Sequence, residues 1–338
     1  MKAVALQSYL PISNPASLQD VELATPQAQG RDLLVQVHAI GVNPVDTKVR
    51  GQAGPDEASP RVLGWDVAGV VAAVGPEVTL FRVGDPVFYA GSITRPGANS
   101  EWHLVDERIV GHKPASLSFE QAAALPLTSI TAWEALFDRL RIARDGSARG
   151  KTLLIVGGAG GVGSVAIQLA SQLAGLDVIA TASRADSAAW VRQLGAAHVI
   201  DHNGDMPAQL RALGKDSVDY ILCANETDRH FAAMAEMIAP QGAICSIVNA
   251  SAPLALDLLF AKSVTFVWEL MFARSMFNTP DMIEQHRLLN EVAALVDGGR
   301  LKTTLSEVLG RINATNLRRA HAALEGRHTI GKIVLSGF

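Results

Sequence analysis

Cysteine, aromatic residues and excess charge are all scarce in this chain, and each shortage excludes something. Only Cys223 and Cys245 occur in 338 residues. Neither a disulfide framework nor a cysteine-based zinc cluster can be built from two thiols. Lys and Arg number 29 against 33 Asp and Glu, a net charge of −4. Such a chain lacks the positive field that nucleic-acid and anionic-membrane binders use. It has no P-loop and no G-x-S-x-G elbow, so two common catalytic plans are missing. No internal repeat or low-complexity segment occurs. The first eight residues read as a short strand, without a signal peptide's long apolar region. The longest uncharged stretch, residues 152–176, has the length of a membrane span. Glycines at 157, 158, 160, 161, 163 and 175 break it into strand, turn and helix. A cytoplasmic protein with reduced thiols is expected.

What is present is a soluble composition, with 49% apolar and 18% charged residues. The length suggests about two domains. Up to about residue 115 the chain reads as short strands, at 33–39, 67–74, 86–89 and 101–105, separated by Gly, Pro, Asn and Asp turns. Ser118 and Gln121 have capping-box spacing. A helical stretch is expected over 128–140. From Lys151 strand and helix alternate, with strands at 152–156, 177–181, 198–201, 218–223 and 243–248. This α/β pattern predicts a parallel sheet covered on both faces. Thr279-Pro280 predicts a helix start.

The chemistry-bearing signal is Gly157-Gly158-Ala159-Gly160-Gly161-Val162-Gly163. Gly158, Gly160 and Gly163 make G-x-G-x-x-G between an apolar strand and an apolar helix, the context a dinucleotide turn requires. A Cβ would block backbone approach to a pyrophosphate, and a helix N-terminus supplies free N–H groups to its oxygens. Gly161 and Val162 open that helix. No carboxylate stands at the end of the second strand; the chain there reads Ala182-Ser183-Arg184. Acidic residues at that place hold a ribose 2′-hydroxyl. Ser183 and Arg184 suit a 2′-phosphate instead, which predicts NADPH over NADH; Ser183 capping the next helix is the other reading. His202 is expected to flank the adenine or the phosphate, or to be an ordinary surface histidine.

The chain resembles the medium-chain dehydrogenase/reductase superfamily, on its zinc-free quinone oxidoreductase side. The matching segments are Gly41-Val42-Asn43-Pro44-Val45-Asp46, Leu63-Gly64-Trp65-Asp66, Val83-Gly84-Asp85-Pro86-Val87, the stretch from Ala124 to Trp133, the glycine turn and Gly331-Lys332-Ile333-Val334-Leu335. The resemblance implies a GroES-like β-barrel domain from residues 1–125 and 265–338, a Rossmann doubly wound parallel sheet from 126–264, and the nicotinamide in the cleft between them. Zinc-dependent members carry metal ligands where this chain has Asn43, Trp65 and Leu127, so no zinc is expected.

An NADPH-dependent reductase of quinones or α,β-unsaturated carbonyls is the leading expectation. The alternatives are a zinc-dependent alcohol dehydrogenase and a catalytically silent cofactor-binding sensor or structural protein. The resemblance implies Asn43 as an oxyanion donor, with Asp46 ordering its loop or meeting the ribose. Thr128, Thr131, Val248 and Asn249 would lie at the nicotinamide end, with Arg274 and Lys332 also near the cofactor. Trp65, Tyr89, Trp268 and Phe272 are expected around the acceptor. Packing is the competing reading for Trp65, and a core segment with a Glu269–Arg274 ion pair for 267–274. Tyr89 is the most plausible proton donor, solvent the alternative. A homodimer through the Rossmann domains is implied.

Overall fold

The computed structural model describes residues 1–52 and 54–338. Its contacts divide the chain into two compact units, Met1–Ile130 with Phe272–Phe338, and Thr131–Met271. The divisions lie a few residues beyond those expected from sequence.

The first unit begins with β1 (Lys2–Leu6), β2 (Gln19–Glu22), β3 (Asp32–Gly41), α1 (Pro44–Arg50), β4 (Arg61–Val62) and β5 (Asp66–Val74). It continues with β6 (Pro86–Ala90), β7 (Trp102–Asp106), β8 (Val110–His112), α2 (Phe119–Ala123) and α3 (Pro126–Trp133), the last running across the division. β3 buries alternate side chains along its first part, Leu33, Val35 and Val37, as a half-buried strand should. The Ser118–Gln121 capping box is formed, each side chain accepting from the other's backbone N–H. The helix expected over 128–140 is α3 followed by a π-helical turn, Glu134–Arg139.

The second unit carries β9 (Thr152–Val156), α4 (Gly161–Gln172), β10 (Asp177–Thr181), α5 (Ala185–Gln193), β11 (His198–Ile200), α6 (Met206–Ala212), β12 (Val218–Cys223), α7 (Thr227–Met237), β13 (Ile238–Ser246) and β14 (Thr265–Trp268). The six strands form one parallel sheet, in the order β11-β10-β9-β12-β13-β14. The central strand β9 is Thr-Leu-Leu-Ile-Val with its last four residues buried, the apolar run of a strand covered on both faces. Leu154, Ile179, Ile221, Phe231, Met234 and Ile244 belong to one apolar cluster in this unit.

The chain then returns to the first unit with α8 (Ala273–Phe277), α9 (Glu284–Asp297), β15 (Leu305–Val308), α10 (Ala314–Glu325) and β16 (Lys332–Ser336). β16 pairs antiparallel with β3, completing a sheet of order β15-β16-β3-β5-β6-β8, with β7 also on β3. The helix expected from Thr279-Pro280 starts later, at Glu284. Two turns precede it, Met282 N–H donating to Thr279 O and Glu284 N–H to Asp281 O. Among the described residues no helix is long and apolar enough to cross a membrane.

Candidate functional site

The glycine turn joins β9 to α4, and its glycines do different work. Gly157 has φ +84°, a left-handed conformation that suits glycine. Its N–H donates to Thr181 Oγ1 (2.9 Å) and that of Gly158 to Thr181 O (3.2 Å), tying the turn to β10. A Cβ on Gly158 would lie 2.8 Å from Ala180 Cβ, and one on Gly163 only 2.4 Å from Gly157 O. Those two glycines allow the helix to pack on the sheet. Gly160 differs: a Cβ there meets nothing nearer than Gly157 O at 3.5 Å. It is the N-cap of α4, with φ −71° and ψ 172°. Beyond it, the first-turn N–H groups of α4, from Gly161 to Gly163, have no helical carbonyl to bond. Their positive end and the open face at Gly160 fit a pyrophosphate.

Strand order reverses at β9, with β10 on one side and β12 on the other, and nucleotides bind at such switch points. Arg184 is the N-cap residue of α5. Ser187 Oγ accepts from its N–H (3.2 Å), so the cap is not made by Ser183. Arg184 Nε also lies 3.2 Å from Asp186 Oδ1. His202, after β11, packs edge-on to His230, with ring centroids 6.1 Å apart. Burial lowers the pKa of both rings, keeping them neutral at pH 7. Arg229 bridges Glu226 Oε2 (2.9 Å) and Asn203 Oδ1 (3.0 Å) beside them. Val248 follows β13, its carbonyl accepting from Thr227 Oγ1, and Asn249 is exposed.

The second constellation lies wholly in the first unit. Asn43 N-caps α1, its N–H donating to Asp46 Oδ2 (2.8 Å). Asn43 Nδ2 donates to Asp66 Oδ2 (2.7 Å), and the backbone N–H of Leu127 to Asp66 Oδ1 (2.7 Å). Lys332, from β16, directs its ammonium at Val42 O (3.0 Å), Asn43 Oδ1 and Asp66 Oδ2 (2.8 Å). Asn43, Asp46, Asp66 and Lys332 are each at most 3% exposed. Burial pushes the Asp46 carboxyl up to about 7; Asp66 adds to the rise, while the Asn43 N–H and the Lys332 charge oppose it. The Asn43 amide is held by Asp66 and Lys332, and the three N–H groups of Lys332 have three acceptors inside the protein.

The residues at the expected zinc positions can be tested by their chemistry. The Asn43 amide is engaged, Trp65 Nε1 donates to Ser92 O (3.0 Å), and Leu127 has no donor atom on its side chain. The Lys332 ammonium sits on Asp66. This donor set does not fit zinc. Among the described residues no three His, Cys, Asp or Glu side chains gather as a metal site.

Of the four aromatic residues expected around the acceptor, Trp65, Tyr89 and Phe272 belong to the first unit and Trp268 to the second. Trp65 is 1% exposed and stands edge-on to Phe272, with centroids 6.0 Å apart, so packing is the role both show. Tyr89 is fully buried and bonds His103 Nδ1 (2.9 Å), while His103 Nε2 lies 3.1 Å from Pro96 O. Since a carbonyl only accepts, Nε2 carries the ring proton and Tyr89 donates to Nδ1. Trp268 ends the edge strand β14, 45% exposed against Phe266. Glu269 bonds Arg139 Nε (2.7 Å), and Arg274 Nε bonds Asp281 (3.1 Å). Thr128 Oγ1 donates to Leu125 O (3.0 Å), and Thr131 is buried on the same helix. Cys223 and Cys245 are buried on neighbouring strands, and burial pushes the Cys223 thiol up to about 11. Both are inert by that criterion.

Comparison with known proteins agrees with this two-part architecture. An alcohol dehydrogenase GroES-like domain matches residues 29–122, and a zinc-binding dehydrogenase domain matches residues 194–335. A zinc-type alcohol dehydrogenase-like protein of Staphylococcus epidermidis is 40% identical over 99% of both chains. A quinone oxidoreductase of Pseudomonas aeruginosa is 34% identical over 90% of this chain and 91% of its own. Among solved structures, a Rhizobium etli protein provisionally named a zinc-dependent alcohol dehydrogenase has TM-score 0.96 and 54% identity, covering 100% of this chain and 98% of its own. The Escherichia coli quinone oxidoreductase complexed with NADPH has TM-score 0.84 and 26% identity, covering 99% and 100%. The fold and site thus define an oxidoreductase with a GroES-like domain and a Rossmann sheet. The chain belongs to the medium-chain dehydrogenase/reductase superfamily, in its quinone oxidoreductase-like branch.

Proposed function

We propose that this protein is an NADPH-dependent reductase of conjugated acceptors, quinones or α,β-unsaturated carbonyls, that works without a metal. One observation carries the reading: the Lys332 ammonium, with Asn43 and Leu127 beside it, sits on Asp66 where a metal-dependent site would need ligands. With no Lewis acid held there, a developing alkoxide has no strong stabiliser. A conjugated acceptor delocalises the negative charge itself. When bound, the nicotinamide supplies the hydride. The chain's own residues bind and orient. The α4 N-terminus takes the pyrophosphate across Gly160, and Ser183 and Arg184 take the 2′-phosphate. Thr128, Thr131, Val248 and Asn249 are assigned to the nicotinamide end. With Tyr89 committed to His103, solvent supplies the proton.

The NADPH-bound Escherichia coli relative supports the cofactor assignment. We further propose a cytoplasmic protein that forms a homodimer built on β14. That edge strand ends at Trp268, and Phe260 (85% exposed) and Leu270 (52%) are also open to solvent in this unit. A second copy of this chain would cover the unpaired edge and these side chains. The functional test is a turnover panel of quinones and enones against saturated ketones and alcohols, each with NADPH and NADH. Reduction confined to conjugated acceptors supports the proposal. NADPH binding with no turnover on any acceptor would favour a sensor.

A further inference from the structure

We propose that Lys332 is a positioning residue: its ammonium clamps the Asn43 loop and, through Asp66, the first turn of α3 in the arrangement that hydride transfer requires. This rests on the reductase reading above, which assigns residues of α3 to the nicotinamide end.

The clamp gathers segments far apart in the chain. Lys332 stands 289 residues from Asn43 and 266 from Asp66. Its three N–H groups meet three acceptors, Val42 O, Asn43 Oδ1 and Asp66 Oδ2, which leaves the ammonium no spare donor. Asp66 passes the constraint on. Its Oδ2 also accepts from Asn43 Nδ2, and its Oδ1 from Leu127 N–H at the second position of α3. Pro126, at the first position, has no N–H to offer. A carboxylate from β5 thus acts as the remote N-cap of α3, and Lys332 holds that carboxylate in place.

Stability alone does not account for this arrangement. Taking an ammonium and a carboxylate out of water costs much of what their attraction returns, and apolar residues of similar size often serve stability as well. A buried lysine with three directed bonds gives geometry. It fixes which face of the Asn43 amide points to Asp66, the path of the loop into α1, and the first turn of α3. Its role is to hold these groups; it touches neither substrate nor cofactor.

The test separates holding from mere neutralisation. Lys332→Met alone leaves Asp66 as an unpaired buried carboxylate, and the protein should melt early. In the Lys332→Met/Asp66→Asn double variant both charges are gone, and thermal stability should return close to wild type. Hydrogen–deuterium exchange should nevertheless stay faster over residues 42–50 and 124–133. NADPH affinity should remain within about twofold, because the glycine turn belongs to the other unit, while kcat on a quinone falls about 10- to 100-fold, as misplacement costs. Wild-type exchange or wild-type kcat in a stable double variant would overturn the proposal. Should even the wild-type protein reduce no conjugated acceptor, the reductase reading falls, and with it the catalytic purpose of the clamp. Exchange over 42–50 and 124–133 would then still decide whether the clamp itself exists.

Discussion

Replacing Gly160 and Gly163 separately by alanine separates cofactor binding from folding at the glycine turn. At Gly163 the new Cβ would sit 2.4 Å from Gly157 O and 2.7 Å from Gly158 Cα, both backbone atoms. Relieving that overlap requires moving the helix or the turn, a cost of about 1–3 kcal/mol or more. The gain in helix propensity from glycine to alanine, about 1 kcal/mol, does not offset it. At Gly160 the new Cβ has its nearest neighbour at 3.5 Å, and φ is −71°, open to any residue. The loss of a favourable N-cap and the gain from a stiffer unfolded chain nearly cancel, so stability should stay within about 1 kcal/mol. The methyl group nevertheless stands on the face where the pyrophosphate is placed. Thermal melts should show Gly163→Ala several degrees below wild type and Gly160→Ala unchanged. Fluorescence titration should show Gly160→Ala binding NADPH about 10- to 100-fold more weakly, some 1.4–2.8 kcal/mol. Unchanged NADPH affinity in Gly160→Ala would refute the pyrophosphate placement. Wild-type melting of Gly163→Ala would refute the packing argument.

Arg184→Ala should lose about tenfold in NADPH affinity, as expected for a charge-assisted bond, and little in NADH affinity; equal losses would contradict a 2′-phosphate contact. Asp46 titrates at about 7 in the folded protein, above the ~3.9 of an unfolded aspartate. Its folded pKa is raised, so its contribution to stability is complete below about pH 4 and lost as pH rises through 7. Asp46→Asn should flatten the fall in stability across that window by up to about 4 kcal/mol, and parallel denaturation curves for the two proteins would show the carboxyl is not held as described. Phe260→Glu combined with Trp268→Glu should give a monomer by light scattering; an intact dimer would move the interface away from β14.

Local chemistry was legible in the sequence wherever neighbours in the chain settle it. The glycine turn, the Ser118–Gln121 box and the strands from Thr152 to Cys223 depend on residues a few positions apart. The site in the first unit depends on residues hundreds of positions apart. Nothing near Lys332 shows that it reaches Asn43, and the family pattern placed it beside the cofactor instead. Tyr89 looked like an acid because a tyrosine carries a proton; its partner His103 is 14 residues away across a turn. Trp268 and Phe272 are four residues apart, yet one ends an exposed edge strand and the other packs edge-on to Trp65. An apolar stripe alone does not reveal which partner each ring will meet. The delayed start of α9 has the same origin, since the Thr279-Pro280 signal is local and the turns after it are set by Asp281 and Met282.

The most direct test of metal-free reduction of a conjugated acceptor is one preparation measured two ways. Its zinc content is determined by elemental analysis, and NADPH oxidation by a quinone is then followed before and after treatment with a strong chelator. The predicted result is far less than one zinc per chain and a turnover rate the chelator leaves unchanged. One tightly bound zinc per chain, with alcohol oxidation that the chelator abolishes, would contradict the account.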